Sequence, residues 1–135
     1  MSNWTHVAGI IRIDSIRIFE NNIDFDKLIG KEIEYDSSLT EWDIAYEHPE
    51  EYMPFGSEGS LQKSIWVNPD KDCLSAYTVS IFGDLRDYDD LQEVVKWFKR
   101  TCSKFDDAIR NAVIVVHSDM NNQIVWAYPG GNLDE

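Results

Sequence analysis

Cysteine is scarce. Cys73 and Cys102 are the only two in 135 residues, with no CxxC spacing and no partner cluster. That argues against a metal finger or a disulfide framework and fits a reduced, cytosolic setting. Basic residues are scarce too, 12 Lys and Arg against 25 Asp and Glu, for a formal net charge of -13. Repulsion from phosphate argues against direct binding of duplex nucleic acid through a basic patch, and against acidic membranes. No window approaches the ~20 apolar residues of a membrane span. The start, MSNWTHVAG, has neither a basic region nor a long apolar run, so no signal peptide is expected and the reading is a soluble cytoplasmic protein. There is no Walker GK[ST], no GxGxxG, no GxSxG elbow and no Cys-His signature, so the sequence names no reaction. Internal repeats and low-complexity tracts are absent as well.

What is present suits one α+β domain over residues 1–135, with 43% apolar and 13% aromatic residues. A chain of this size buries roughly two-thirds of its unfolded surface without needing staples. HVAGIIRIDSIRI, residues 6–18, alternates: Val7, Ile11 and Ile13 fall on one side, His6, Arg12 and Asp14 on the other, the pattern of a half-buried strand. NNIDFDKLIGKEI predicts a short helix capped by Asp24 and stopped at Gly30. Residues 31–55 set eight acids against the single Lys31 and include Tyr35, Trp42, Tyr46 and Tyr52. Disordered acidic tails are poor in aromatics, so this insertion is expected to be an ordered but irregular excursion.

SLQKSIWVNP (60–69) and LSAYTVSIF (74–82) read as a hairpin around the turn NPDKD. Tyr77, Val79 and Ile81 would form one face of the second strand, Thr78, Ser80 and Phe82 the other. Leu91, Val94, Val95, Phe98, Cys102 and Phe105 recur at helical spacing, with Asp89 and Gln92 as a capping pair. IRNAVIVVHSDMNNQIVWAY supplies two more strands around DMNN, and a frayed tail follows at 129–135. The order β-α-loop-β-β-α-β-β predicts a ferredoxin-like split βαβ antiparallel sheet with an extra C-terminal strand. Two helices would cover one face and leave the other open unless the acidic loop or another subunit covers it.

Three constellations are candidate sites. In GSEGS, Gly56 and Gly59 permit positive φ while Ser57, Glu58 and Ser60 surround them. This is either an anion-binding nest or a turn that starts a strand. In FGDLRDYDD (82–90), Gly83 would leave the strand, and Asp84, Arg86 and three further aspartates crowd the helix start. Arg86 is a two-pronged donor for phosphate or carboxylate, and the aspartates are oxygen ligands of the kind magnesium prefers, although helix capping explains them without a metal. No cofactor or metal is called for. The third is the polar sheet face, where His6, Arg12 and Asp14 neighbour Gln62, Ser64, Thr78 and Ser80. By parity Trp66 and Phe82 share it, and aromatic rings beside Arg12 and a histidine suit stacking.

Taken together, WTHVAGIIRID, GSEGSL and IFGDLRDYDD resemble small accessory proteins carried by bacteriophages and their prophage relatives. The resemblance covers about half the chain and transfers no catalytic residue. It implies a context in a bacterial host cell, where such proteins mask a basic protein surface or sequester a nucleotide signal, often countering host defence. The first function expected is a non-enzymatic binding protein that docks on and inhibits a basic host protein, either a defence or a nucleic-acid-binding one. Trp42, Asp43, Tyr46, Glu47, Glu50, Glu51 and Tyr52, with the open sheet face, would make that surface. The alternative is a nucleotide-binding protein in which His6, Arg12, Arg86, Asp84 and the 56–60 loop hold the polar groups and Trp66 or Phe82 stacks the base. Homo-oligomerisation would complete such a site. An enzyme working through His6 or His117 is the third.

Overall fold

A computed structural model of the chain describes residues 3–15, 23–67, 75–88, 90–120 and 122–130. The alternating run at the start forms β1 (Trp4–Ser15). Its odd-numbered Thr5, Val7, Ile11 and Ile13 are buried, as half-buried strand periodicity requires. β1 is the centre of a five-stranded antiparallel sheet whose other members are β4 (Gln62–Val67), β5 (Ser75–Arg86), β6 (Ile109–Ser118) and β7 (Gln123–Tyr128). The spatial order is β4-β5-β1-β6-β7. The hairpin turn expected at NPDKD, residues 16–18 of the first run and the tail beyond Gly130 lie outside the described residues.

One sheet face carries the core. Val79, Ile81 and Leu85 from β5 and Ala112, Ile114 and Val116 from β6 join β1 there. α3 (Leu91–Ser103) lies against β6 and β7 and buries Leu91, Val94, Val95, Phe98, Thr101 and Cys102. Phe98 meets Trp126 of β7 edge to face at 5.8 Å. The cap of α3 is Asp90, whose carboxylate accepts from the amides of Gln92 and Glu93. It sits one residue later than the expected Asp89. Phe105 is buried but falls beyond the helix end.

The β4 half of this face carries only the short helix expected there. A single four-residue turn of helix, α1 (Phe25–Leu28), is capped by Asp24 as foreseen. Irregular chain does the rest, with Ile29, Met53 and Leu61 in the core and Phe25 edge-on to Tyr77 at 5.9 Å. Lys63 staples this segment to β4: its ammonium, almost fully buried, donates to the Gly30 carbonyl at 2.8 Å and pairs with Asp26 at 2.7 Å.

Two expectations are corrected. Residues 31–55 are not wholly irregular, because α2 (Leu39–Glu47) runs through them, capped by the Ser38 hydroxyl accepting from the Glu41 amide. Gly83 does not leave its strand. β5 continues to Arg86 because Gly83, at φ +147, lets the backbone pass Leu61, whose Cα would lie 3.3 Å from any Cβ there.

Candidate functional site

Among the described residues, nothing covers the second sheet face, and strand register lays it out in rungs. The first is Asp84–His6–His117–Gln123, and the second Gln62–Phe82–Ala8–Val115–Val125. The third is Ser64–Ser80–Ile10–Val113–Ala127, and the fourth Trp66–Thr78–Arg12–Asn111. The predicted His6, Arg12, Trp66, Phe82 and Asp84 therefore do share a face. Its middle is apolar rather than polar, however. Ile10, Trp66, Phe82, Val113 and Val125 are between 37% and 56% exposed. Ile10 was available by parity with Arg12. Val113 and Val115 were hidden because AVIVV in β6 is apolar on both faces and does not alternate.

The two ends of this face carry opposite charge. At the first rung the His6 ring lies between two carboxylates, Nδ1 to Asp84 at 2.7 Å and Nε2 to Asp119 at 2.8 Å. Those bonds, Asp84's first, raise the imidazole pKa above its ordinary 6.5, and the bond from His6 lowers the Asp119 carboxyl. Asp119 is itself fixed by the Trp4 amide at 3.2 Å, and His117 stacks on His6 with centroids 6.4 Å apart. Because both ring nitrogens are engaged by acids, His6 offers no free lone pair and is a poor general base. At and just beyond the fourth rung, Arg110 pairs with Asp14 at 2.6 Å and Arg12 approaches the same carboxylate at 3.6 Å. Ile10, Arg12, Thr78, Arg110 and Asn111 line a shallow depression of about 370 Å³.

The GSEGS loop is elsewhere. β2 (Phe55–Gly56) and β3 (Gly59–Ser60) form a small hairpin turned by Ser57 and Glu58. Two of its amides are engaged by the fold: Ser57 donates to the Arg86 carbonyl at 3.2 Å and Ser60 to the Ile33 carbonyl at 2.8 Å. Gly59 takes φ +130, whereas Gly56 is needed for space, since a Cβ there would lie 2.4 Å from the Arg86 carbonyl oxygen. Glu58 pairs with the Arg86 guanidinium at 3.3 Å. Two of the amide donors an anion nest would use are thus spent on the fold. Arg86 pairs with Trp4 and Arg12 with Thr78, so the two arginines are separated by roughly 26 Å of strand at about 3.3 Å per residue. They are not brought together.

The acidic insertion gathers its aromatics. Trp42, Tyr46 and Tyr52 surround Phe55, with centroids 5.5–6.3 Å from its ring. Phe55 escaped notice in the sequence because it sits beside the glycine loop. α2 buries only Ala45. Leu39, Ile44 and Tyr46 stay 40–82% exposed, and Glu41, Asp43, Glu47, Glu50 and Glu51 are exposed around them. Lys31 sits over the Tyr52 ring at 5.8 Å and near Glu51 at 3.9 Å. His48, Glu50 and Glu51 offer ligand atoms within 4.8 Å of one another and could hold a cation, although all three are solvent-exposed. Burial pushes the Cys102 thiol up to about 12, so it is no nucleophile.

Compared with known protein families, with curated proteins and with solved structures, the chain matches none. Among the described residues no helix is long and apolar enough to cross a membrane.

Proposed function

We propose that this is a small non-enzymatic binding protein that docks on a basic surface of another protein through α2 and the aromatic cluster beneath it. One observation carries the reading: a nine-residue helix that buries only Ala45 yet exposes Leu39, Ile44 and Tyr46 among acids. A helix that gains so little from its own domain, and shows apolar anchors ringed by one sign of charge, fits an interface better than it fits a structural role. Acids steer the encounter and the aromatic anchors hold the bound state. The resemblance to bacteriophage accessory proteins extends the proposal to a host protein of defence or nucleic-acid metabolism as the target, bound in the cytoplasm. The strand order β4-β5-β1-β6 supports a ferredoxin-like framework, with β7 added outside β6.

The nucleotide alternative keeps Arg12 and Trp66 on one rung beside the shallow depression but loses Arg86 and the 56–60 loop. Two experiments separate the readings. In affinity capture from a bacterial lysate, wild type should retain a basic protein that is released by salt and lost with Tyr46→Ala or with Asp43→Lys/Glu47→Lys. A captured protein indifferent to both variants refutes the α2 surface. A thermal shift with nucleotides or cyclic dinucleotides, abolished by Arg12→Ala, favours the alternative instead.

A further inference from the structure

The uncovered sheet face has no role in that reading. We propose that it is the interface between two copies of this chain, stacked sheet on sheet about a two-fold axis that runs across the strands. Three observations select a second copy over a foreign partner.

The first is extent. Five strands about 4.8 Å apart and four rungs about 6.7 Å apart span roughly 24 by 24 Å, on the order of 600 Å² of face. Two such faces would bury ~1,200 Å², the lower bound of a specific interface.

The second is relief. A two-fold axis across the strands, between the second and third rungs, lays each residue of one rung over its strand neighbour in the other copy's facing rung. Phe82 then meets Ser80, Ile10 meets Ala8, and Val125 meets Ala127, with Val113 over Val115 and Gln62 over Ser64. Large side chains fall opposite small ones on three of the five strands, the arrangement that lets stacked sheets interdigitate.

The third is charge. The same axis brings the fourth rung of one copy over the first rung of the other. Arg12 and Arg110 with Asp14 carry one net positive charge. Asp84 and Asp119 carry one net negative charge even when His6 between them is protonated. Opposite ends therefore meet twice. The competing axis, parallel to the strands, would set arginines against arginines and Ile10 against Ile10. In a chain of net charge -13, a face that carries its own positive complement is suited to its copy.

Sedimentation equilibrium of the full chain at about 100 µM, a concentration that detects micromolar association, should give twice the 15.7 kDa chain mass. Phe82→Lys and Ile10→Lys should each weaken dimerisation at least about tenfold, as for central interface positions. Val125→Lys on the outer strand repeats the test should either variant fail to fold, and circular dichroism verifies folding. The axis is read separately by disulfide trapping in a Cys73→Ser background. Mixing Ala8→Cys chains with Ile10→Cys chains should trap the mixed pair faster than either self-pair. A monomer under these conditions, or a dimer indifferent to all three lysines, overturns the interface. Self-pairs that dominate overturn the axis. Tyr46→Ala should leave the dimer intact, so this proposal and the α2 docking reading fail independently.

Discussion

Gly56 is the position where the structure commits to a reading that the GSEGS stretch leaves open. If this glycine serves a ligand, alanine there should spare the fold. If it serves the contact with β5, alanine should damage the fold. A Cβ on Gly56 would lie 2.4 Å from the Arg86 carbonyl oxygen and 2.9 Å from its amide nitrogen. Both atoms are backbone of a strand whose neighbouring Leu85 is fully buried, so the strand cannot give way like a flexible side chain. The hairpin would have to retreat by nearly ~1 Å to restore van der Waals distance. That stretches the Ser57–Arg86 hydrogen bond, already 3.2 Å, beyond its useful range. Overpacking costs about 1–3 kcal/mol and the lost bond about 1 kcal/mol, so Gly56→Ala should cost roughly 2–4 kcal/mol. In equilibrium urea unfolding, with a slope of about 2 kcal/mol/M, the midpoint should fall by about 1–2 M. Ser57→Ala is the control, because it removes only an exposed 3.4 Å bond to Asp87 and should cost no more than about 0.5 kcal/mol. A Gly56→Ala midpoint equal to that of Ser57→Ala would refute the contact and return the loop to candidacy as a ligand cradle.

Other positions are equally exposed to test. The His6 pKa is raised, so the stability it contributes should be complete below pH 6.5 and lost as pH rises through its folded value. Asp119, lowered from 3.8, contributes above that pH and loses its contribution as acid protonates it. The gap in Tm between wild type and His6→Gln should therefore be widest between those two values and shrink in alkali, and a gap constant with pH would show that the ties to Asp84 and Asp119 are not ionic. Lys63→Met should destabilise by about 1–3 kcal/mol in urea, because the Gly30 carbonyl and Asp26 lose a nearly buried donor. Asp90→Ala should cost about 1 kcal/mol and Asp89→Ala much less, the reverse of what the 89/92 capping pair implies. Cys102, in a Cys73→Ser background, should resist a thiol reagent at pH 8 until denaturant is added.

Much of the framework was readable because its signals are local. Side-chain alternation along a strand has period two and the helix stripe period 3.6, so β1, β5 and α3 each announce their buried side without knowledge of their neighbours. α2 was readable too, through the Ser38-Leu39-Thr40-Glu41 capping signature, but with only Ala45 buried it lacks the apolar stripe that marks α3. The open face was half readable. Parity placed His6, Arg12, Trp66 and Phe82 together, while β6, apolar on both sides, concealed Val113 and Val115.

What the chain alone could not specify was everything that depends on register between distant segments. His6 is flanked by Asp84 and Asp119, 78 and 113 residues away, because β1 is the central strand, β5 sets Asp84 on its rung and the chain just past the end of β6 brings in Asp119. The same pairing moves Arg86 to the opposite end from Arg12. It also turns two amides of the 56–60 loop inward onto Arg86 and Ile33. Composition and periodicity determine which side of each element is buried, since burial follows from the residues along that element. Which residues face one another is decided by hydrogen-bonded pairing across the sheet, and that is settled only when the whole core closes at once.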